Sequence, residues 1–314
     1  MKRFRNWRRR SAALALLPAT ALIAMSATET ASGAPGFETS QKRVKPNESV
    51  TLSGRFAAPQ TASTEAGGKG DSKSDAAVQG VRLQFRANGA EHWQDAERTE
   101  TGRSGKFSER VKVKRSGRFR AVSADGRATP SELVRVKSVT RARIGDDTVK
   151  QGDKVSIKGH VAPAGTSRKV AVKVGGETLH TRTSKGGGFK VKWKAEETGE
   201  STVRVRAAAD RIAAGSGDKA GKVAVLRPAI ASYYGPGLYG NPVACGGTLQ
   251  PDTVGVAHKS LPCGTKLVVA YGNKSVKTEV IDRGPYVGNR EFDLTEALKN
   301  KIGFGSTGTV YVSK

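Results

Sequence analysis

The residues with the plainest capacity for chemistry lie in "VIDRGPYVGNREFDLT", residues 280–295, where Asp282 and Asp293 stand eleven positions apart around a Gly-Pro turn. A carboxyl group placed here could carry a proton to or from a reacting oxygen. The plainer alternative is structural, because Asp is also a turn and helix-cap residue. Asp293 opens "DLTE", with Glu three residues on and an apolar helical run behind it, which is a capping-box pattern. Such a cap would hold the anion at a helix N-terminus and make a poor acid. Asp282 ends an apolar stretch before Arg283-Gly284-Pro285, and on residue type alone it reads equally as turn or working carboxylate. Arg283 either pairs with it or points outward. His258, in "VAHKSLP", is the only histidine of the last third of the chain. One histidine is too few for a zinc site, so no metal is expected, and nothing calls for a cofactor.

The elements that must position these residues read as strands. "TKLVVAYGNKSVKTEVID" reads as two strands joined at a Gly-Asn turn. "DLTEALKNKIG" places Leu294, Ala297, Leu298 and Ile302 at helical spacing, stopped by Gly303. "GTVYVSK" reads as a closing strand. The result is a compact, mostly β domain over 229–314. Its two cysteines, Cys245 and Cys263, are the only ones in the chain and in an exported protein read as one disulfide.

Export is expected from the first 36 residues. "MKRFRNWRRR" is a basic n-region, "SAALALLPATALIAM" an apolar run too short to span a bilayer, and "ASGAPG" a small-residue cleavage region near Ala34. No later segment is apolar enough to cross a membrane, so the mature chain is placed outside it.

Between leader and C-terminal domain lies a diverged repeat. "VKPNESVTLSGRFAAP" (44–59) resembles "VKQGDKVSIKGHVAPAG" (149–165), and "GKFSERVKVKRSG" (105–117) resembles "GGFKVKWKAEETG" (187–199). Period-two alternation in both copies predicts two small β-sandwiches, 37–138 and 139–228, resembling bacterial Ig-like modules. "TASTEAGGKGDSKSDAAVQG" (61–80) has almost nothing to bury and reads as a disordered loop of the first. Trp93 and Trp193 read as core or inter-sheet residues, and His92, His160 and His180 as structural.

The net charge is +26, of which only +3 falls in 229–314 and +5 in the leader. The other +18 is scattered along the two repeats rather than gathered in one arm, which argues against nucleic acid. For an exported chain the natural anionic partners are wall polymers and phospholipid headgroups, with a solvated basic face the alternative.

Three ordered motifs, "ASYYGPGLYG", "GVAHKSLPCGTKLVV" and "VIDRGPYVGNREFDL", resemble the RlpA-like (rare lipoprotein A) family over residues 230–314, a fold shared with expansins and barwin-type proteins. The resemblance implies an all-β chain ending in a six-stranded double-psi β-barrel with one short helix. It also implies a groove for peptidoglycan glycan strands. Enzymatic members are lytic transglycosylases, which cut between N-acetylmuramic acid and N-acetylglucosamine and leave a 1,6-anhydro end. The sugar's own 6-hydroxyl attacks there, so one acid/base can suffice where a hydrolase needs two carboxylates. By motif, Asp282 matches the catalytic aspartate and His258 the active-site histidine. The family's glutamate, in a Gly-Glu dipeptide, falls within a one-residue gap at Thr248, in "ACGGTL". A Thr hydroxyl orients a hydrogen bond but is no carboxylate, which favours a non-catalytic, expansin-like binder as the alternative. Tyr233, Tyr234, Tyr239 and Tyr286 suit sugar stacking, with Asp293 in the same groove as in expansins. A basic structural wall protein is the third reading.

Overall fold

A computed structural model describes residues 35–57 and 78–314. The expected leader over 1–36 and loop over 61–80 fall almost wholly outside the described residues. Among those described, one seven-residue helix interrupts an otherwise all-β chain, and no helix is long and apolar enough to cross a membrane.

The first module contains β1 (Gly36–Thr39), β2 (Arg43–Val44), β3 (Ser49–Arg55), β4 (Gly80–Ala87), β5 (Gln94–Glu100), β6 (Lys106–Lys112), β7 (Gly117–Ser123) and β8 (Glu132–Val136). They form two sheets, β1-β3-β6 and β2-β8-β7-β4-β5. Alternate residues of both sheets, such as Val50 and Leu52 on β3 and Val81 and Leu83 on β4, supply one core. The second module repeats this with β9 (Val139–Ile144), β10 (Thr148–Lys150), β11 (Lys154–Ala162), β12 (Lys169–Val174), β13 (Glu177–Arg182), β14 (Gly188–Lys194), β15 (Gly199–Ala207) and the first half of β16 (Ser216–Tyr234).

The repeat read in the sequence has a steric basis. Pairing of β3 with β6 sets Gly54 opposite Phe107, and pairing of β11 with β14 sets Gly159 opposite Phe189. A Cβ on Gly54 would lie 2.6 Å from the Phe107 ring, and one on Gly159 would lie 2.4 Å from that of Phe189. Each glycine is the floor on which an aromatic ring lies. Trp193 is buried in the second core, whereas the half-buried Trp93 packs against the guanidinium groups of Arg86 and Arg120, 4.8 and 4.3 Å from its centroid.

The last third adds β17 (Val256–His258), β18 (Lys266–Tyr271), β19 (Lys274–Asp282), β20 (Phe292–Thr295), α1 (Glu296–Ile302) and β21 (Gly308–Val312). The strand order β16-β20-β17-β19-β18-β21 returns to β16 and closes a ring of six. Val256, Val280, Phe292, Leu294 and Val312, each at most 1% exposed, help fill one core cluster with Leu298 and Ile302 of α1. β16 is continuous: Ser216–Val225 pair with β15 of the second module, and Arg227–Tyr234 with β21 and β20 of the ring. The change of composition near Ala229 thus falls inside a strand.

The helix forms and stops at Gly303 as expected, with Gly303 left-handed at φ 71°. Its cap corrects one expectation. Thr295, not Asp293, is the N-cap, and its hydroxyl accepts from the Leu298 N–H at 3.4 Å. The strand runs two residues past Asp293 because β16 and β17 both pair with it, and this frees the carboxylate for another role.

Candidate functional site

Strand register builds the site. Ala257 of β17 is paired on one side with Asp293 of β20 and on the other with Asp282 of β19, and Asp293 is paired in turn with Ser232 of β16. Asp282, Ala257, Asp293 and Ser232 thus form one row across four strands. The neighbouring row, Val280, Val256 and Leu294, turns into the core. A register shift between Val256 and Ala257 pairs Val280 and Asp282 with adjacent residues of β17, so β19 carries a bulge. Without it Asp282, two residues on from Val280, would share its inward face; a bulge re-aims the side chain that follows. Ala257 is the small residue that leaves room between the two carboxyl groups.

The two aspartates differ in environment. Asp282 is half-buried, and its Oδ1 accepts from the backbone N–H groups of Ala244 (2.9 Å) and Arg283 (2.8 Å). Asp293 accepts the Ser232 hydroxyl at 2.7 Å. Burial pushes the Asp293 carboxyl above its ordinary pKa and the nearby Asp282 adds to this, while Ser232 and Arg290 pull it back. Tyr234 completes the cluster. Burial, then the charges of Asp282 and Asp293, push its phenol well above the ordinary value. Its hydroxyl is buried beside Asp282 without a well-formed hydrogen bond among the described residues.

His258 follows Ala257 and so faces the other way. Its ring stacks on Phe292 at 4.8 Å, and Nδ1 accepts from the N–H groups of Ser260 (3.1 Å) and Leu261 (3.0 Å). Those bonds put the ring proton on Nε2, which lies 3.8 Å from Glu291. Burial pushes the His258 pKa down, against an upward pull from Glu291. His258 therefore belongs to a second cluster, with Glu291 and its bidentate partner Arg227. That ion pair holds Glu291 below its ordinary pKa.

Arg283 does not pair with the Asp282 carboxylate. Its guanidinium donates to the carbonyls of His258 (3.3 Å) and Asp282 (3.4 Å) and to Cys263 Sγ (3.2 Å), tying strand ends together. The expected disulfide, Cys245–Cys263, is present with Cα atoms 5.5 Å apart. It anchors the loop that supplies the Ala244 N–H, together with a bond from Cys245 N–H to Ile281 O. Thr248 lies at the base of that loop, exposed and bridged by backbone to Pro242, with no side-chain hydrogen bond among the described residues. Tyr233 has Lys299 4.4 Å over its ring, and Tyr239 donates its hydroxyl to Glu296, a bond that raises the phenol's pKa. Tyr286 is 77% exposed beside exposed Val287.

Of the residues singled out by sequence, Asp282, Asp293 and Tyr234 come together; among the described residues neither His258 nor Thr248 makes a side-chain hydrogen bond to them, and Arg283 links His258 to Asp282 only through their carbonyls. Sequence reasoning missed Ser232, Glu291 and Glu296. Ser232 was findable in "IASYY", where alternation puts it on the face of Tyr234. Glu291 carried no spacing signal, since its partner Arg227 is 64 residues away, and Glu296 was read only as part of the capping box because its partner Tyr239 is 57 residues away.

Residues 229–313 match the family model DPBB_1, described as lytic transglycolase. The "Endolytic peptidoglycan transglycosylase RlpA" of Campylobacter jejuni is 40% identical over 85 residues, 26% of this chain and 31% of that protein. The "Probable endolytic peptidoglycan transglycosylase RlpA" of Synechocystis is 36% identical over 93 residues, 29% of each. The chain thus matches about three tenths of the length of these relatives. Among solved structures, that of the Yersinia pseudotuberculosis adhesin InvE aligns with TM-score 0.32 at 10% identity, over 61% of this chain and 58% of that one.

Proposed function

We propose that the C-terminal ring, RlpA-like in sequence, is a double-psi β-barrel that cuts peptidoglycan glycan strands by lytic transglycosylation. The observation that carries the reading is the row Asp282–Ala257–Asp293–Ser232, which sets a half-buried carboxyl, its pKa pushed up by burial, near a second one. Asp293 is our proton donor, in place of Asp282. It protonates the glycosidic oxygen as the bond to C1 breaks, the 6-hydroxyl of the same sugar bonds to C1, and its proton returns to Asp293. No water enters. Asp282, held by the Ala244 and Arg283 N–H groups, stands beside the developing oxocarbenium ion and adds to the upward shift that burial gives Asp293. Tyr234, its hydroxyl buried beside Asp282, backs that carboxylate, and Tyr286 offers an exposed ring for stacking. His258 holds the 259–261 turn in place. The chain is exported through its N-terminal leader, and the two Ig-like modules carry the ring at the wall.

A second reading, a non-catalytic peptidoglycan binder, is favoured by exposed Thr248 where the family has glutamate. Digestion of purified peptidoglycan decides between them. Wild type is expected to release 1,6-anhydro products, Asp293→Asn none, and Asp282→Asn at least tenfold less. Absence of product from wild type, with strands retained, establishes the binder; equal product from Asp293→Asn removes our acid.

A further inference from the structure

The first two modules meet at a cleft of about 660 Å³, far from the ring's carboxylates. It is lined by the turns holding Asn47, Asn88 and Lys114–Arg115 of the first module. The β11–β12 loop and Arg211 of the second complete the lining. No Asp or Glu lines it, and no Phe, Tyr or Trp.

Arg115 and Arg211 line the same cleft, and the Ser116 N–H, which donates to Ile212 O at 2.8 Å, ties the segments that bear them. The segment bearing Arg211 is fixed on both sides. Asp210 accepts the N–H groups of Ile212 and Ala213, both at 3.0 Å, and Ile212 and Ala213 are 6% and 2% exposed. Asp210 itself is taken up by Thr166 and by Arg168, whose Nε donates at 3.1 Å. Among the described residues, no carboxylate lies within ion-pair distance of Lys114, Arg115 or Arg211. Two guanidinium groups and an ammonium group thus line one cleft without a counter-charge among the described residues, and none of the three is buried to stabilise a core. Their placement points to an anion supplied from outside.

We propose that this cleft binds a polyol-phosphate chain, with Arg115 and Arg211 gripping one phosphodiester and Lys114 its neighbour. The guanidinium fork matches two oxygens of a phosphate. The cleft exceeds the size of a single phosphate, and with His160 as its one ring and no Phe, Tyr or Trp it offers little platform for successive stacked bases, which disfavours single-stranded nucleic acid. The site is independent of the ring's activity.

Fluorescence anisotropy of a labelled glycerol-phosphate oligomer with the full chain tests this. Arg115→Ala/Arg211→Ala is expected to weaken binding at least tenfold. Arg115→Lys/Arg211→Lys, which keeps charge and loses the fork, should weaken it less. Lys190→Ala/Lys192→Ala removes the same charge from exposed positions of β14 and should change binding less than twofold. Equal loss in that control overturns the site. So does equally tight binding of single-stranded DNA or polyglutamate of matched charge.

Discussion

A half-buried carboxyl beside a second carboxylate releases its proton at a higher pH than one in water. For Asp293 the causes are burial first and Asp282 as a contributor, so the two can be separated by mutation. If Asp293 is the acid, product release falls as pH rises through its raised pKa. Asp282→Asn removes one raising cause and should move that alkaline limb to lower pH, beyond lowering the rate. A limb that stays in place when muropeptide release is followed against pH would remove Asp282 from this role. The same shift bears on stability. A native pKa above the unfolded one means that the native state holds the extra proton, so this contribution declines as pH rises from the unfolded value through the native one. Asp293→Asn should therefore melt no lower than wild type at pH 7. His258 works in the opposite sense. Its lowered pKa gives stability that is present above the ordinary histidine value of about 6.5 and lost as pH falls below it. His258→Phe orphans two backbone N–H groups and should cost about 1–3 kcal/mol at pH 7. It should also flatten the fall of melting temperature between pH 7 and 5; an unchanged slope would assign that fall to other groups.

At the scale of elements, what could be read in advance followed from period and volume. The alternation of β3 and β11, and the glycine that recurs opposite a phenylalanine, show in the sequence because both are local or repeated constraints. Gly159→Ala places a Cβ 2.4 Å from the Phe189 ring and 2.5 Å from Arg141 O, and should cost about 1–3 kcal/mol by overpacking. Gly80→Ala, where a Cβ meets nothing within 4 Å, should stay within about 0.5 kcal/mol in the same urea titration. Equal shifts would mean that the ring does not rest on the glycine as described. Ring closure was implied only by the family resemblance, and the β19 bulge and the row it creates were not legible at all, because each depends on pairings between distant segments. The helix cap was misread for the same reason. "DLTE" contains two capping residues, and only pairing with β16 and β17 decides that Asp293 stays in the strand and Thr295 caps. The disulfide was legible from count alone. Its removal as Cys245→Ser/Cys263→Ser opens a loop with a sequence separation of 18 and should cost about 3 kcal/mol. Because that loop supplies the Ala244 N–H to Asp282, muropeptide release should fall further than an equally destabilising core substitution would cause.

Across the whole molecule, the continuity of β16 decides how the parts respond to one another. Its first half lies in the second module's sheet and its second half in the ring, so no linker separates them. β10 adds to it alongside Ala224–Leu226, and a small apolar cluster of Ala224, Leu226, Val268 and Ala270 joins the two bodies under Tyr311, whose ring carries Lys150 at 4.1 Å. Glu200 of β15 reaches Lys277 of β19 at 3.5 Å and Lys222 of β16 at 3.1 Å. The ion pairs are surface contacts of small value, but the strand and the cluster are buried. A side chain in the small cluster that joins the two bodies should destabilise both when truncated. Leu226, 2% exposed, is such a residue, and Leu226→Ala should cost about 2–4 kcal/mol. If the second module and the ring unfold as one unit, hydrogen exchange should quicken together in β15 and in β18, although neither strand is altered. Faster exchange confined to one of them would show that β16 only passes between two independent bodies. Joint opening would instead mean that load applied to the basic modules is transmitted through one strand to the row of carboxylates, whose Ser232 and Tyr234 lie on that same strand.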